Sequence, residues 1–482
     1  MIGPILSSSG IVACCAAWLI ASSATSLYAQ PRPNVLLIVT DDQRPDSIAA
    51  LGNADVRTPT LDRLIRTGTT FTRAVCAYPI CVSSRAELIT GCTAFRAHAP
   101  FADGPLNETL PRWPDVMRLA GYRTAYVGKW HTSGRPTGRG YELTRGLFGA
   151  GGGKFPLTHP SDRLGNPVTG YRGWVLQDDA GRIFPERGVG LTPNISETFA
   201  EAAIELLRDP DPRPFFVHVN FTAPHDPRFM PRGYEGRYDP RTLRLPKNFA
   251  ADHPFDHGNA GGRDERLLPR PLAADLLRDE WAVYYALIEH LDAQIGRMLD
   301  ALDASGRARD TIVIFTSDHG LALGSHGLVG KQNLYEHTIG VPLVVAGPGI
   351  GPGVRTAAPI YLRDLFPTVC EWCSVPIPEG LDGRSLAGAL RGGAAPHEFV
   401  VGYYRDSQRM IRTDRWKFIR YPQIDREQLF DLVADPDELH DRIVDPAAKP
   451  TADALKEKLS AWLFEHGDPA PFGPAVTPKS AK

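Results

Sequence analysis

The chain lacks the features that mark several function classes. Its 482 residues carry a formal net charge of only −2. The bulk balance therefore gives no electrostatic footprint for nucleic acid, and any affinity for a polyanion has to come from a local basic pocket. Apolar residues make up 43% and charged residues 22%, which excludes fibrous and intrinsically disordered classes. No internal repeat and no low-complexity tract is present. The one N-terminal apolar stretch, Ile11 to Ile20, is short for a bilayer span. With Ser26-Leu27-Tyr28-Ala29 before Gln30 it reads as a secretory signal over residues 1–29, although no Lys or Arg precedes it. The mature chain is expected to be exported, periplasmic or secreted, with no stable membrane span.

Cysteine is also scarce, with seven in all. Cys14 and Cys15 would leave with the signal, and the odd set Cys76, Cys81, Cys92, Cys370 and Cys373 remains. Cys370 and Cys373 sit at or beside Leu365–Trp372, which looks helical, with no second CxxC and no His cluster near in sequence. Two packed thiols, bridged or not, are expected there. Cys81 differs. Cys81-Val82-Ser83-Ser84-Arg85 stands immediately before Ala86–Gly91, which reads as a helix. A helix N-terminus favours an anion or an anionic nucleophile. Ser83 and Ser84 are good capping residues, and Arg85 can orient an oxyanion or hold the nucleophile. A lone cysteine is more often a small packing group, so its surroundings have to decide.

Short apolar runs alternate with helical segments, the pattern of a parallel sheet covered by helices on both faces. Expected strands are Val35–Thr40, Thr124–Val127, Phe215–Phe221, Thr311–Thr316 and Leu343–Ala346. Expected helices include Ser196–Leu207 and the long amphipathic Ala274–Ala304. Residues 225–270, rich in Pro, Gly, Asp and Arg, read as a long surface excursion. Beyond about residue 395 the texture changes. Val400–Tyr404, Arg409–Thr413, Trp416–Arg420 and Gln428–Leu432 alternate like antiparallel strands, and Ala452–His466 reads as an amphipathic helix. The tail after Pro469 reads as irregular. The expected division is a catalytic domain over 31–395 and a small subdomain over 396–482.

Polar groups stand just past the carboxyl ends of these strands: Asp41-Asp42, Gly128-Lys129-Trp130-His131, Ala223-Pro224-His225 and Ser317-Asp318-His319-Gly320. In an open α/β sheet, ligands bind at that edge, so the groups should converge on one crevice. Asp41, Asp42 and Asp318 make a hard-cation site from two strand ends. Each motif alone is more often a turn or a cap. A lone His131, His225 or Lys129 is more often a core or solvated residue.

Cys81-x-x-x-Arg85 followed by Thr90-Gly91 resembles the signature of the formylglycine-dependent sulfatases, and the other motifs follow in that family's order. The likeness runs from about Pro33 to Glu438. It includes Lys331–Glu336, which resembles the segment carrying a sulfate-binding lysine. It implies an alkaline-phosphatase-like α/β fold, with a mixed, mostly parallel sheet and a small C-terminal antiparallel sheet plus helix. It further implies that a formylglycine-generating enzyme oxidises Cys81 to formylglycine. Asp41, Asp42, Cys81, Asp318 and His319 would hold a calcium ion, and Arg85, Lys129, His131, His225 and Lys331 would complete the catalytic set. The sequence departs from the family pattern at Ser83, where Pro or Ala is usual, at Cys92, where Arg often follows Thr-Gly, and at Gly340, where Arg is frequent before Val341-Pro342.

The resulting expectation is a sulfuric ester hydrolase acting on a sulfate ester, with a sulfated carbohydrate as the favoured substrate class. Two rivals follow: a phosphonate or phosphodiester hydrolase on the same scaffold, and a non-catalytic glycan-binding protein whose Cys81 stays a thiol. An acid/base set of this size argues against the second.

Overall fold

Strand β1, Asn34–Thr40, is buried at every position. Alternate side chains serve opposite faces of a sheet. Leu36 and Ile38 pack with helices Ile195–Arg208 and Ala274–Ala304. Val35, Leu37 and Val39 pack with helices Cys81–Thr90, Trp113–Leu119 and Leu365–Trp372. A strand covered on both sides needs apolar residues without alternation, which is what the sequence supplies. The computed structural model describes residues 32–98 and 104–468, with Met1 and Gly3. The expected signal over 1–29 and the tail after Pro469 lie outside the described residues.

The remaining strands are β2 (Thr69–Phe71), β3 (Ala74–Val75), β4 (Arg123–Lys129), β5 (Leu143–Ala150), β6 (Trp174–Gln177), β7 (Phe215–Asn220), β8 (Thr311–Ser317), β9 (Leu343–Ala346), β10 (Val354–Thr356) and β11 (Ile360–Tyr361). In the C-terminal part they are β12 (Val400–Tyr404), β13 (Gln408–Arg412), β14 (Trp416–Tyr421) and β15 (Arg426–Asp431). The main sheet has the order β10-β2-β9-β8-β1-β7-β4-β5-β6. Its middle, β8-β1-β7-β4-β5, is parallel throughout. β6 and β9 run antiparallel to their neighbours β5 and β8, so the sheet is mixed and mostly parallel, as expected.

Register brings the strand ends together. Thr40 pairs with Ser317, Val39 with Asn220, and Gly128 with Asn220. Asp41, Asp318, Lys129 and Asn220 therefore leave the same edge of the sheet side by side. Most boundaries fall within a few residues of expectation, and one shift bears on the site: β4 continues through Gly128 and Lys129, so Lys129 is the last strand residue rather than part of a loop.

β12–β15 form an antiparallel meander, followed by helix Lys449–Glu465. Leu455, Leu459 and Leu463 of that helix pack on Ile411, Phe418 and Ile419, in one cluster with Tyr78, Leu334 and Tyr335. The excursion after His225 is more tightly packed than its composition suggests. Tyr238, Leu243 and Leu268 are buried against Trp281 and Tyr285 of helix Ala274–Ala304, so apolar residues scattered among Pro, Gly and Arg anchor it. All five cysteines outside the N-terminal segment are buried and free, which leaves Cys370 and Cys373 as packed thiols.

Candidate active site

Cys81 is the first residue of helix Cys81–Thr90, with Ile80 as its N-cap and no side-chain cap. The helix thus begins earlier than the sequence suggested. Ser83 and Ser84 lie inside it and do not cap it; Ser84 Oγ instead donates to the Asp318 carbonyl at 2.6 Å. That bond ties the helix start to the end of β8. Gly91 closes the helix in the left-handed region, at φ 66°, where glycine carries no Cβ penalty.

Around Cys81 Sγ stand Asp41 Oδ1 at 3.3 Å, His319 Nε2 at 3.3 Å and Lys331 Nζ at 3.4 Å. Lys331 also donates to Asp42 Oδ1 at 2.8 Å. Asp42 adopts φ 66°, and Tyr284 Oη donates to its carbonyl at 2.8 Å. Asp318 accepts from the backbone N–H groups of Asp42 at 3.3 Å and His319 at 3.0 Å. These positions come from the ends of β1 and β8 and from the loop beyond β8.

Arg85 reaches Asp318 Oδ2 at 2.9 Å, approaches Asp41 Oδ2 at 3.7 Å, and donates to Asn220 Oδ1. It organises the carboxylates under the cysteine. Lys129 is fully buried and ion-paired with Asp41. His225 holds its Nδ1 against the Asp226 carbonyl and carboxylate and turns Nε2 toward Asp42 Oδ2, 3.9 Å away. Its ring meets Tyr171 edge-on at 4.9 Å. His131 lies further out, edge-on to Trp174 at 5.1 Å, with no hydrogen-bond partner for Nδ1.

Sequence reasoning missed Asn220, Tyr171 and Asp226. Tyr171 Oη donates to Asp41 Oδ2 at 2.8 Å, and Arg263 clamps Asp226 beside His225. Asn220 had a readable signal as the polar end of a strand that is apolar apart from His218. Tyr171 had none, because it lies in an irregular segment at φ 54°.

The electrostatics are those of a dry, charge-dense cleft. Burial, reinforced by Asp41, pushes the Cys81 thiol well above its usual value, so the unmodified cysteine is a protonated, poor nucleophile. Burial pushes His319 down to about 4 and holds His225 and His131 well below the ordinary histidine range. Burial, with Asp41 and Asp318 beside it, lifts Asp42 to about 8 despite Lys331. Asp42 Oδ2 has no hydrogen-bond partner. Lys129, Lys331 and Arg85 each pair with one of the three carboxylates, and a cation among them would take up the oxygen left over at Asp42. Two ligand groupings hold their donor atoms within 4.8 Å of one another: Asp41, Asp42, Cys81 and His225, and Asp41, Cys81, Asp318 and His319. Each offers two carboxylates, the Cys81 sulfur and one imidazole, and the carboxylates Asp41, Asp42 and Asp318 are the donors that suit a hard divalent ion.

The family model described as Sulfatase matches residues 33–375. A second, described as N-sulphoglucosamine sulphohydrolase, C-terminal, matches residues 324–464. The chain is 28% identical to an arylsulfatase of Clostridium perfringens, over 89% of this chain and 94% of that one. Among solved structures it resembles a phosphonate monoester hydrolase of Agrobacterium radiobacter, with TM-score 0.75, 23% identity and coverage of 90% and 96%. It also resembles a protein solved in complex with its substrate D-glucosamine-2-N,6-O-disulfate, with TM-score 0.73, 22% identity and coverage of 91% and 99%.

Proposed function

The chain belongs to the sulfatase family and is a sulfuric ester hydrolase, and from that premise we propose that it desulfates a sulfated carbohydrate using a formylglycine made from Cys81 and a bound calcium ion. The observation that carries this reading is the convergence of Asp41, His319 and Lys331 on Cys81 Sγ at 3.3–3.4 Å. A buried thiol held protonated has little use at the centre of such a set, whereas an aldehyde hydrate there would have metal, cation and base within reach. A saccharide substrate is supported by the fold neighbour solved with a sulfated glucosamine.

Asp41, Asp42, Asp318 and His319 would hold the calcium, which when bound supplies positive charge to the sulfate oxygens and to the attacking hydroxyl. A hydroxyl on a Cys81-derived diol would serve as the nucleophile toward sulfur, giving up its proton to the carboxylate cluster, where Asp41 Oδ1 lies 3.3 Å from Cys81 Sγ, as the S–O bond to the sugar breaks. Lys331, beside Cys81 and Asp42, binds the sulfate oxygens. His225 presents Nε2 because Nδ1 is held by Asp226. Beside the anionic ester its protonation becomes favourable, and it passes a proton to the departing alkoxide. His131, at the outer edge near Lys129, accepts the proton of the second hydroxyl. Collapse to the aldehyde then expels sulfate, and water restores the diol. A serine-like alcohol has no second hydroxyl with which to do this.

Export with removal of residues 1–29, and maturation of Cys81 by a formylglycine-generating enzyme, belong to the same reading. Among the described residues no helix is long and apolar enough to cross a membrane. The test is sulfate release, read by ion chromatography, from defined N- and O-sulfated glucosamines, with an aryl phosphodiester and an aryl phosphonate in parallel. Faster turnover of a sulfated sugar supports the proposal. Faster turnover of the phosphorus esters moves the assignment to a phosphonate or phosphodiester hydrolase.

A further inference from the structure

A cavity of about 460 Å³ lies apart from the residues gathered round Cys81, none of which lines it. Its walls bring Arg73, the start of helix Glu336–Ile339 and Gly340 just after it against Arg412 of β13. Two buried side chains on that wall carry unused hydrogen-bonding atoms. Arg412 is 5% exposed; its Nε lies 3.2 Å from Glu336 Oε1, and its Nη1 has no hydrogen-bond partner. His337 is 6% exposed, and neither ring nitrogen has one. Buried polar groups in folded proteins are normally satisfied, so such donors facing a cavity call for an acceptor inside it.

The charges on the wall point the same way. Each carboxylate there already faces a cation: Asp46 with Arg44, Asp55 with Arg244, Asp437 with Lys247, Glu438 with Lys417, and Glu336 with Lys417 at 2.9 Å and Arg412 at 3.2 Å. With Glu336 Oε1 held by Lys417 and Arg412, the buried groups on the wall that keep no partner are Arg412 Nη1 and the His337 ring nitrogens. Arg73 stands at the mouth, held outward by Asp414 at 2.7 Å. Burial and the nearby Arg412 pull its guanidinium below the usual range, while Asp414 and Glu336 act in the opposite direction.

Gly340 forms part of the wall, at the position where the family pattern frequently has arginine. A Cβ here would come within 2.6 Å of the Glu336 carbonyl oxygen and 3.2 Å of Pro45, so the backbone takes a course that leaves no room for a side chain.

We propose that this cavity is a second oxyanion-binding site, remote from catalysis, that takes a sulfate group through Arg412, Arg73 and His337. Arginine's planar fork suits a sulfate or carboxylate, and the volume is that of a small-ligand pocket rather than of a single ion. The sulfate comes either free, as product, or on a sugar of the chain being processed.

The test uses the full-length protein carrying Cys81→Ala to stop turnover, in that form alone and with Arg73→Gln or Arg412→Gln added. Binding of inorganic sulfate and of a sulfated tetrasaccharide is measured by equilibrium dialysis. Arg73→Gln alters only the mouth, so it keeps the test valid if Arg412→Gln fails to fold. The expected result is loss of one class of site, with binding weakened about tenfold or more, while the site at the catalytic centre persists in the same sample. Loss for inorganic sulfate alone identifies the free anion as the ligand, and loss for the tetrasaccharide identifies the sulfated chain. Binding of both probes by folded Arg73→Gln at the level of the parent overturns the proposal.

Discussion

Tyr171 donates its hydroxyl to Asp41 Oδ2 at 2.8 Å although 130 residues separate the two. Its ring also lies under Lys129 Nζ, 5.1 Å from the centroid, and edge-on to His225. One side chain from an irregular segment thus touches a proposed metal ligand, a buried lysine and the proposed general acid. Tyr171→Phe keeps the ring and removes the hydroxyl. A hydrogen bond to a charged group contributes about 1.5–3 kcal/mol, and Asp41 retains Lys129. The expected outcome is a fall of about tenfold in kcat/KM with a small fall in the thermal midpoint, read by steady-state kinetics and calorimetry.

His225→Ala is expected to harm esters of basic alcohols far more than aryl sulfates. A general acid matters most when the departing alkoxide is a strong base, and typical losses are about 10²–10⁴-fold. Nε2 is the nitrogen turned toward the carboxylate cluster, since Nδ1 is held by Asp226. Rate comparison across a series of leaving groups checks this. Equal losses for alkyl and aryl esters would show that His225 only binds sulfate.

Asp318→Ala removes a carboxylate that also anchors Arg85 at 2.9 Å. Turnover is expected to vanish, and chelator-treated wild type is expected to behave alike until calcium is returned. Calcium binding to the folded state should also raise the wild-type thermal midpoint, with little rise in the variant. Full activity of chelator-treated protein would remove the metal assignment.

The parts of this site that were legible in the sequence are those set by strand ends. Asn34–Thr40 is apolar without alternation, and Asp41-Asp42 follow at once, so both the strand and the acids at its tip could be read locally. The same holds for Thr311–Ser317 before Asp318-His319. Strand β5 was hidden because Gly146 and Gly149 interrupt its apolar pattern, and β2 because three residues give no periodicity. The start of the helix at Cys81 was misplaced because serines are common caps, whereas here Ile80 takes the N-cap position without a side-chain bond. Tyr171 and Arg263 are set by tertiary packing of loops, where no period exists to read.

A second histidine group should govern acid stability. His253, His257 and His326 are largely buried near Tyr335, and burial holds them down to about 4, 3 and 3. Arg270, Arg426, Lys417 and Arg44 oppose their protonation, while Asp256 and Asp435 favour it. Their folded values lie below the unfolded value of about 6.5. The stability they contribute is therefore present above pH about 6.5 and is lost as pH falls toward their folded values. Urea midpoints at pH 7, 5.5 and 4.5 should fall progressively, and His257→Leu should flatten the fall. A midpoint independent of pH across that window would contradict the assignment.

The account rests most heavily on the chemical state of Cys81, and mass spectrometry of the tryptic peptide Ala74–Arg85 from active protein reads it directly. The peptide also contains Cys76, so fragmentation has to place the change. The predicted result is an aldehyde or its hydrate at Cys81 with Cys76 an intact thiol, despite Ser83 two residues on, together with loss of turnover in Cys81→Ser matured under the same oxygen-dependent conditions. An active preparation in which Cys81 is found only as an intact or alkylated thiol would contradict the account.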